Sequence, residues 1–130
     1  MIDKLAWIHV VDGRILSTKS SGKTRYSLPR GNREPSKTDA QTLSLKINEA
    51  LSIVLITATM KPLGIFEAQA QEHENGILVR MTCYEAAYTE NIAPNDEIVE
   101  IVWLSYKDRN MVTEVDKVIF DFLKEKGILF

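Results

Sequence analysis

A chain of 130 residues, 45% hydrophobic and 26% charged, is long enough for one domain that buries roughly two-thirds of its unfolded surface. Its formal net charge of −2 gives no electrostatic basis for nucleic acid or membrane as an obligate partner. The lone Cys83 excludes an intrachain disulfide and a thiolate metal cluster, and its apolar run (Leu78, Val79, Met81) reads as the setting of a buried, inert thiol. The N-terminus alternates and carries Asp3 and Lys4 early, unlike a signal peptide, and no apolar run approaches bilayer length, so a cytoplasmic protein is expected.

Leu5 to Val11 reads as a buried strand. Asp12-Gly13 is a hairpin signal, with Arg14 to Lys19 as the return strand. A polar loop, Ser20 to Thr24, leads to a short strand at Arg25 to Leu28, and Pro29, Gly31 and Pro35 then mark an irregular loop. Thr38, with Gln41 three residues on, forms a capping-box signal for a helix whose buried face is Ala40, Leu43, Ile47, Leu51 and Val54. Residues 62–72 and 76–88 alternate as long strands, with the turn at Asn75-Gly76. Glu97 to Ser105 is a further strand. Val115, Val118, Ile119, Phe122 and Leu123 predict an amphipathic helix that stops at Gly127. There is no repeat and no dividing linker, so residues 1–130 are expected to form a single domain. Two helices on opposite faces of a mixed sheet would bury every apolar stripe.

The segment from Leu28-Pro29-Arg30-Gly31 through Glu34-Pro35 to Ile53 resembles the Nudix box, and the order of elements resembles the Nudix fold over nearly the whole chain. The strand Glu97-Ile-Val-Glu-Ile-Val-Trp103-Leu and the closing helix also match a pattern this family often shows. The resemblance implies an α/β protein, an α/β/α sandwich with a mixed β-sheet between helices. It further implies a hydrolase, similar to MutT, acting on the diphosphate linkage of nucleotides or nucleoside-diphosphate derivatives with Mg2+ or Mn2+. The implied partner is a nucleotide or other phosphorylated metabolite, and homodimers are common in the family.

The box keeps its spacing but not its charges. Counting from Gly31, the first glutamate position holds Lys37. The Arg-Glu pair falls on Leu45 and Lys46, and the Glu-Glu pair on Glu49 and Ala50. The second glycine is Ser52. Positions 46, 49 and 50 share a helix face. Lys46 contributes +1 there, Glu49 −1 and Ala50 nothing, where three glutamates would give −3. Magnesium is held by carboxylate oxygens in octahedral geometry, and an ammonium about 4 Å from a dication is repelled by several kcal/mol. The expectation is a Nudix-like protein with catalysis weakened or lost.

By the resemblance, Glu49 is the remaining metal and catalytic candidate, its ordinary alternative being a surface glutamate paired with Lys46. Glu34, Glu67, Glu72, Glu74, Glu97 and Glu100 lie in segments that approach the box or cleft in this fold, and Glu97 is chosen as the second catalytic carboxylate. Lys23, Arg25, Arg30, Arg33, Lys37 and Lys46 form a basic set around the expected cleft. Arg30, Gly31, Lys37 and Lys46 are the substrate-binding candidates, with the cations standing in for the lost metal as point charges. The alternative function is a non-catalytic module that binds a phosphate ligand or another partner. Ser20 to Thr24 lacks the upstream glycine and following helix of a phosphate-binding loop. His9 and His73 have no partners at zinc-ligand spacing. Trp7, Phe66, Tyr84 and Trp103 are expected in the core, with Phe66 or Tyr84 as alternatives for lining a base pocket.

Overall fold

The computed structural model describes residues 1–130. Its strands are β1 (Ile2–Trp7), β2 (Val10–Val11), β3 (Arg14–Ser20), β4 (Arg30–Asn32), β5 (Val54–Leu55), β6 (Lys61–Gln69), β7 (Leu78–Glu85), β8 (Tyr88–Thr89) and β9 (Ile98–Leu104). The helices are α1 (Asp39–Leu51) and α2 (Glu114–Glu125), with 3-10 turns at Thr57–Thr59 and Tyr106–Met111. One sheet runs β4-β1-β7-β6, with β1 and β7 parallel and the other pairs antiparallel. A second runs β2-β3-β9, and β5 pairs with β8.

Alternation along β1 divides the core in two. Leu5 and Trp7 face α1 and pack with Leu16, Leu43, Ile47 and Leu51. Ala6 and the following Ile8 face α2 and pack with Met81, Cys83, Val115, Ile119, Phe120 and Leu123. The mixed sheet therefore lies between two helices. Burying the α2 side chains Val115, Ile119, Phe120 and Leu123 contributes about 1.5–3 kcal/mol each before entropy is charged against it. No helix is long and apolar enough to cross a membrane.

The local signals act as their chemistry dictates. Thr38 Oγ1 accepts from the Gln41 backbone N–H at 3.1 Å while Gln41 Oε1 accepts from the Thr38 N–H at 2.9 Å, which closes the capping box. Asp12 and Gly13, at φ 52° and 77°, make the doubly left-handed turn that suits a tight hairpin. After α2, the Gly127 N–H donates to Lys124 and the Ile128 N–H to Leu123, a Schellman closure on a left-handed glycine.

Several expected boundaries move. The strand expected at Leu5 to Val11 breaks at Ile8 and His9, and its two parts belong to different sheets. His9 leaves the ladder to stack on Trp7, with ring centroids 4.8 Å apart and planes within 6°. Residues 25–28 form only isolated bridges, because the Leu28 N–H donates to the Asp116 carboxylate at 3.0 Å instead of to a strand. The strand forms later, where Gly31 pairs with Leu5. Val54 leaves the α1 face because Ser52 turns left-handed at φ 64°, and Val54 is exposed in β5. The 76–88 strand is β7, then a break, then β8. Trp103 is 42% exposed and lies against His9 instead of in the core.

Candidate functional site

The loop between β4 and α1 is fixed from both sides. Gly31 pairs with Leu5 of the central strand, and its α-carbon rests on the stem of Lys46, where a β-carbon would lie 2.8 Å from Lys46 Cβ. Arg33 ties the loop to the sheet and to the start of α1. It donates to both carboxylate oxygens of Asp39 (3.1 and 3.0 Å), to Asp3 (3.1 Å) and to Thr82 (3.2 Å). The Tyr84 hydroxyl donates to the same Asp39 at 2.6 Å. Burial, followed by that hydrogen bond, pushes the Tyr84 phenol up to about 12. Both Arg33 and Tyr84 thus hold the framework together and are not free to meet a ligand.

The acidic face of the box is neutralised, and its lysines are closed on Glu34. Lys37 donates to Glu34 at 2.8 Å, and Lys46 lies 3.5 Å from the other Glu34 oxygen. The hydrogen bond from Lys37, then its charge, with Lys46 adding to them, holds the Glu34 carboxyl below its ordinary range. Lys46 therefore reaches back to Glu34 and not to Glu49, which corrects the pairing expected from helical spacing. Glu49 is exposed and enters none of the ion pairs.

Beside this loop is a cleft of about 520 Å³. Four cations line it: Lys4, Lys23, Arg25 and Arg30. Glu72, Glu97 and His73 lie on its wall, with hydroxyls from Thr18, Ser27 and Thr113 and the methyl of Ala50. Lys23 is bound to Glu72 at 2.6 Å, and Arg25 donates to the carbonyls of Asn110 and Val112. Lys4 and Arg30 enter no ion pair. Burial, reinforced by the nearby Arg30 charge, holds the Lys4 ammonium below its ordinary range. Asp116 lies behind the Leu28 wall, fully buried. One of its oxygens accepts from Leu28 and the other has no protein partner. Burial pushes its carboxyl above the ordinary range, with Arg30 the main opposing influence.

Of the site candidates named from sequence, Arg30 and Glu97 line the cleft, with Glu97 exposed at its mouth. Gly31 acts through its backbone and close packing. Lys37, Lys46 and Glu49 do not line the cleft. Phe66 does not either; its ring meets Phe122 edge-on at 5.1 Å on the α2 side. Lys4 and Asp116 were missed by the sequence reading, although both left a signal. Lys4 precedes the buried run of β1, and Asp116 shares the helical period of Ile119, Phe120 and Leu123.

The residues present do not fit the divalent cation that this type of box implies. No three His, Cys, Asp or Glu side chains converge anywhere in the chain. Ala50 offers no oxygen, Glu34 is engaged by two lysines, and Glu72 is engaged by Lys23. Octahedral oxygen coordination has no donor set here. What the cleft can do is attract an anion, since three of its four cations, Lys4, Arg25 and Arg30, lack a carboxylate at contact distance.

No family model matches the sequence, and no curated protein does. Solved structures do match. A MutT NUDIX hydrolase from Burkholderia pseudomallei superposes with a TM-score of 0.76 at 19% identity, over 92% of this chain and 95% of that one. A NUDIX hydrolase from Nitrosomonas europaea gives 0.74 at 14% identity, over 99% and 91%. A MutT protein from Methanosarcina mazei gives 0.73 at 14% identity, over 97% and 94%. The chain has the Nudix hydrolase fold, a mixed sheet between helices. At this level of identity the likeness speaks for the fold, while activity depends on the site.

Proposed function

We propose that this Nudix-fold protein recognises the diphosphate portion of a nucleotide or nucleoside-diphosphate derivative, with hydrolysis of that linkage weakened or lost. The observation that carries the reading is the convergence of Lys4, Lys23, Arg25 and Arg30 on one cleft beside the box loop. Phosphate oxygens suit such a site. Guanidinium groups bind them bidentately and ammonium groups act as compact point charges.

Weakened catalysis follows from the chemistry of phosphorus. Attack by water on an anionic diphosphate is slow unless its charge is neutralised and the water is activated. The lysines and arginines supply neutralisation and orientation. Activation needs a base at the reacting atoms. Glu97, at the cleft mouth, is the candidate for it, and Glu49 is the one carboxylate left on the box face. Neither has a positioning partner that would aim its side chain, so efficient proton transfer is not expected.

A second reading, a purely non-catalytic phosphate-binding or interaction module, is favoured by the pairing of Glu34 with both Lys37 and Lys46. One experiment separates the two. Release of phosphate or nucleoside monophosphate is measured over a panel of nucleoside-diphosphate derivatives, with and without magnesium and manganese. Slow turnover that Glu97→Gln or Glu49→Gln abolishes supports residual hydrolysis. An inert panel, with binding detected by calorimetry, supports the module. No binding and no turnover across the panel would overturn the proposal.

A further inference from the structure

We infer that the cleft takes its diphosphate ligand free of metal, so that magnesium opposes binding instead of enabling it. The inference rests on the proposed reading that this cleft receives a diphosphate. In a metal-dependent site, carboxylates and phosphate share a dication between them. Here that arrangement is inverted. The cations belong to the protein, and of the nearby carboxylates Glu34 and Glu72 are occupied by lysines, which leaves Glu97 in the cleft and Glu49 on the box face as the two without an ion pair.

Lys46 stands on the face where box glutamates would project, its stem fixed against Gly31 and its ammonium 3.5 Å from Glu34. Glu34 is also held by Lys37, and Glu72 by Lys23. Within the cleft only Glu97 is left without an ion pair, and one carboxylate does not make a magnesium site. Lys4 and Arg30 line the same cleft with no ion pair, and the buried Asp116 behind Leu28 offsets only part of their charge. An incoming diphosphate would complete both.

Magnesium bound to the ligand changes this in two ways. It removes two units of negative charge, on which the attraction depends, and it retains coordinated waters that keep phosphate oxygens from direct contact with Arg30 and Lys4. The complex would also bring a dication towards a face that already carries excess positive charge.

The test is calorimetric titration of the intact protein with inorganic pyrophosphate and with ADP, in EDTA and in saturating magnesium. Sodium chloride is adjusted to match ionic strength, because screening alone weakens exposed charge interactions. The expected result is binding in EDTA that weakens by roughly tenfold in magnesium, the equivalent of one charge-assisted hydrogen bond. Arg30→Gln should weaken the metal-free binding by a similar factor and shrink the magnesium effect. Lys23→Gln, at an exposed position that does not threaten folding, should also weaken the metal-free binding, and unchanged affinity in both variants would overturn the inference. Equal affinity in the two buffers overturns the inference. Binding that requires magnesium overturns it as well, but leaves the nucleotide reading standing. Absence of binding for both probes in both buffers removes the reading itself.

Discussion

Gly31 touches Lys46 so closely that a side chain at position 31 would force a shift: a β-carbon there would lie 2.8 Å from both Cβ and Cδ of Lys46. The contact holds β4, which also carries the cleft residue Arg30, against the middle of α1. Gly31→Ala should therefore destabilise the protein by about 1–3 kcal/mol, the usual cost of forced overpacking. Adding Lys46→Ala should recover most of that loss, because the two residues are coupled through one contact. Urea unfolding of the single and double variants checks this. A double variant no more stable than Gly31→Ala would mean that the strain lies elsewhere.

Ser52 ends α1 with φ 64°, a conformation that costs an L-residue energy and a glycine almost nothing. Its side chain is exposed and makes no hydrogen bond to offset the cost. Ser52→Gly should stabilise by about 0.5–1 kcal/mol after the added freedom of the unfolded chain is subtracted. Thermal unfolding would show this as a rise in Tm of a few degrees. A fall would indicate that the left-handed turn is relaxed with serine in place.

Much of the fold was legible because local chemistry and burial agree. Thr38 and Gln41 signal a cap and form one. Leu43, Ile47 and Leu51 recur at helical spacing and are fully buried. What escaped the sequence depends on contacts distant along the chain. The Leu28 N–H is claimed by Asp116, 88 residues away, so no strand forms where propensity allows one. The α1 face ends before Val54 because a backbone angle at Ser52 redirects the chain. The site was legible only in part. The basic character of the loop could be read, but the capture of Lys37 and Lys46 by Glu34 is a matter of side-chain geometry that periodicity does not reveal. Lys4 was overlooked because it precedes the apolar run that marked the strand.

Asp116 gives a pH prediction whose sign can be worked out. Burial raises its folded carboxyl above the unfolded value. Folding then favours the protonated form, so stability is fullest below the unfolded pKa and declines as pH rises through the folded one. Asp116→Asn keeps an acceptor for the Leu28 N–H and removes the ionisation. The variant should be more stable than the parent at neutral pH, and the difference should narrow as pH falls towards the ordinary carboxylate range. Denaturant unfolding between about pH 4 and 8 tests it, over a window set by the direction of that shift. A variant less stable at neutral pH would mean that the charge is held by Lys4 and Arg30 more strongly than burial opposes it.

The most direct test of the account is manganese binding, followed by electron paramagnetic resonance, in the parent chain and in the double variant Lys46→Glu with Ala50→Glu. The parent should take up manganese only weakly. The double variant should bind it at least about tenfold more tightly, since two added carboxylates would stand beside Glu49 and leave Glu34 released from Lys46. Tight binding by the parent, abolished by Glu49→Gln, would contradict the claim that this helix face has lost its grip on a divalent cation.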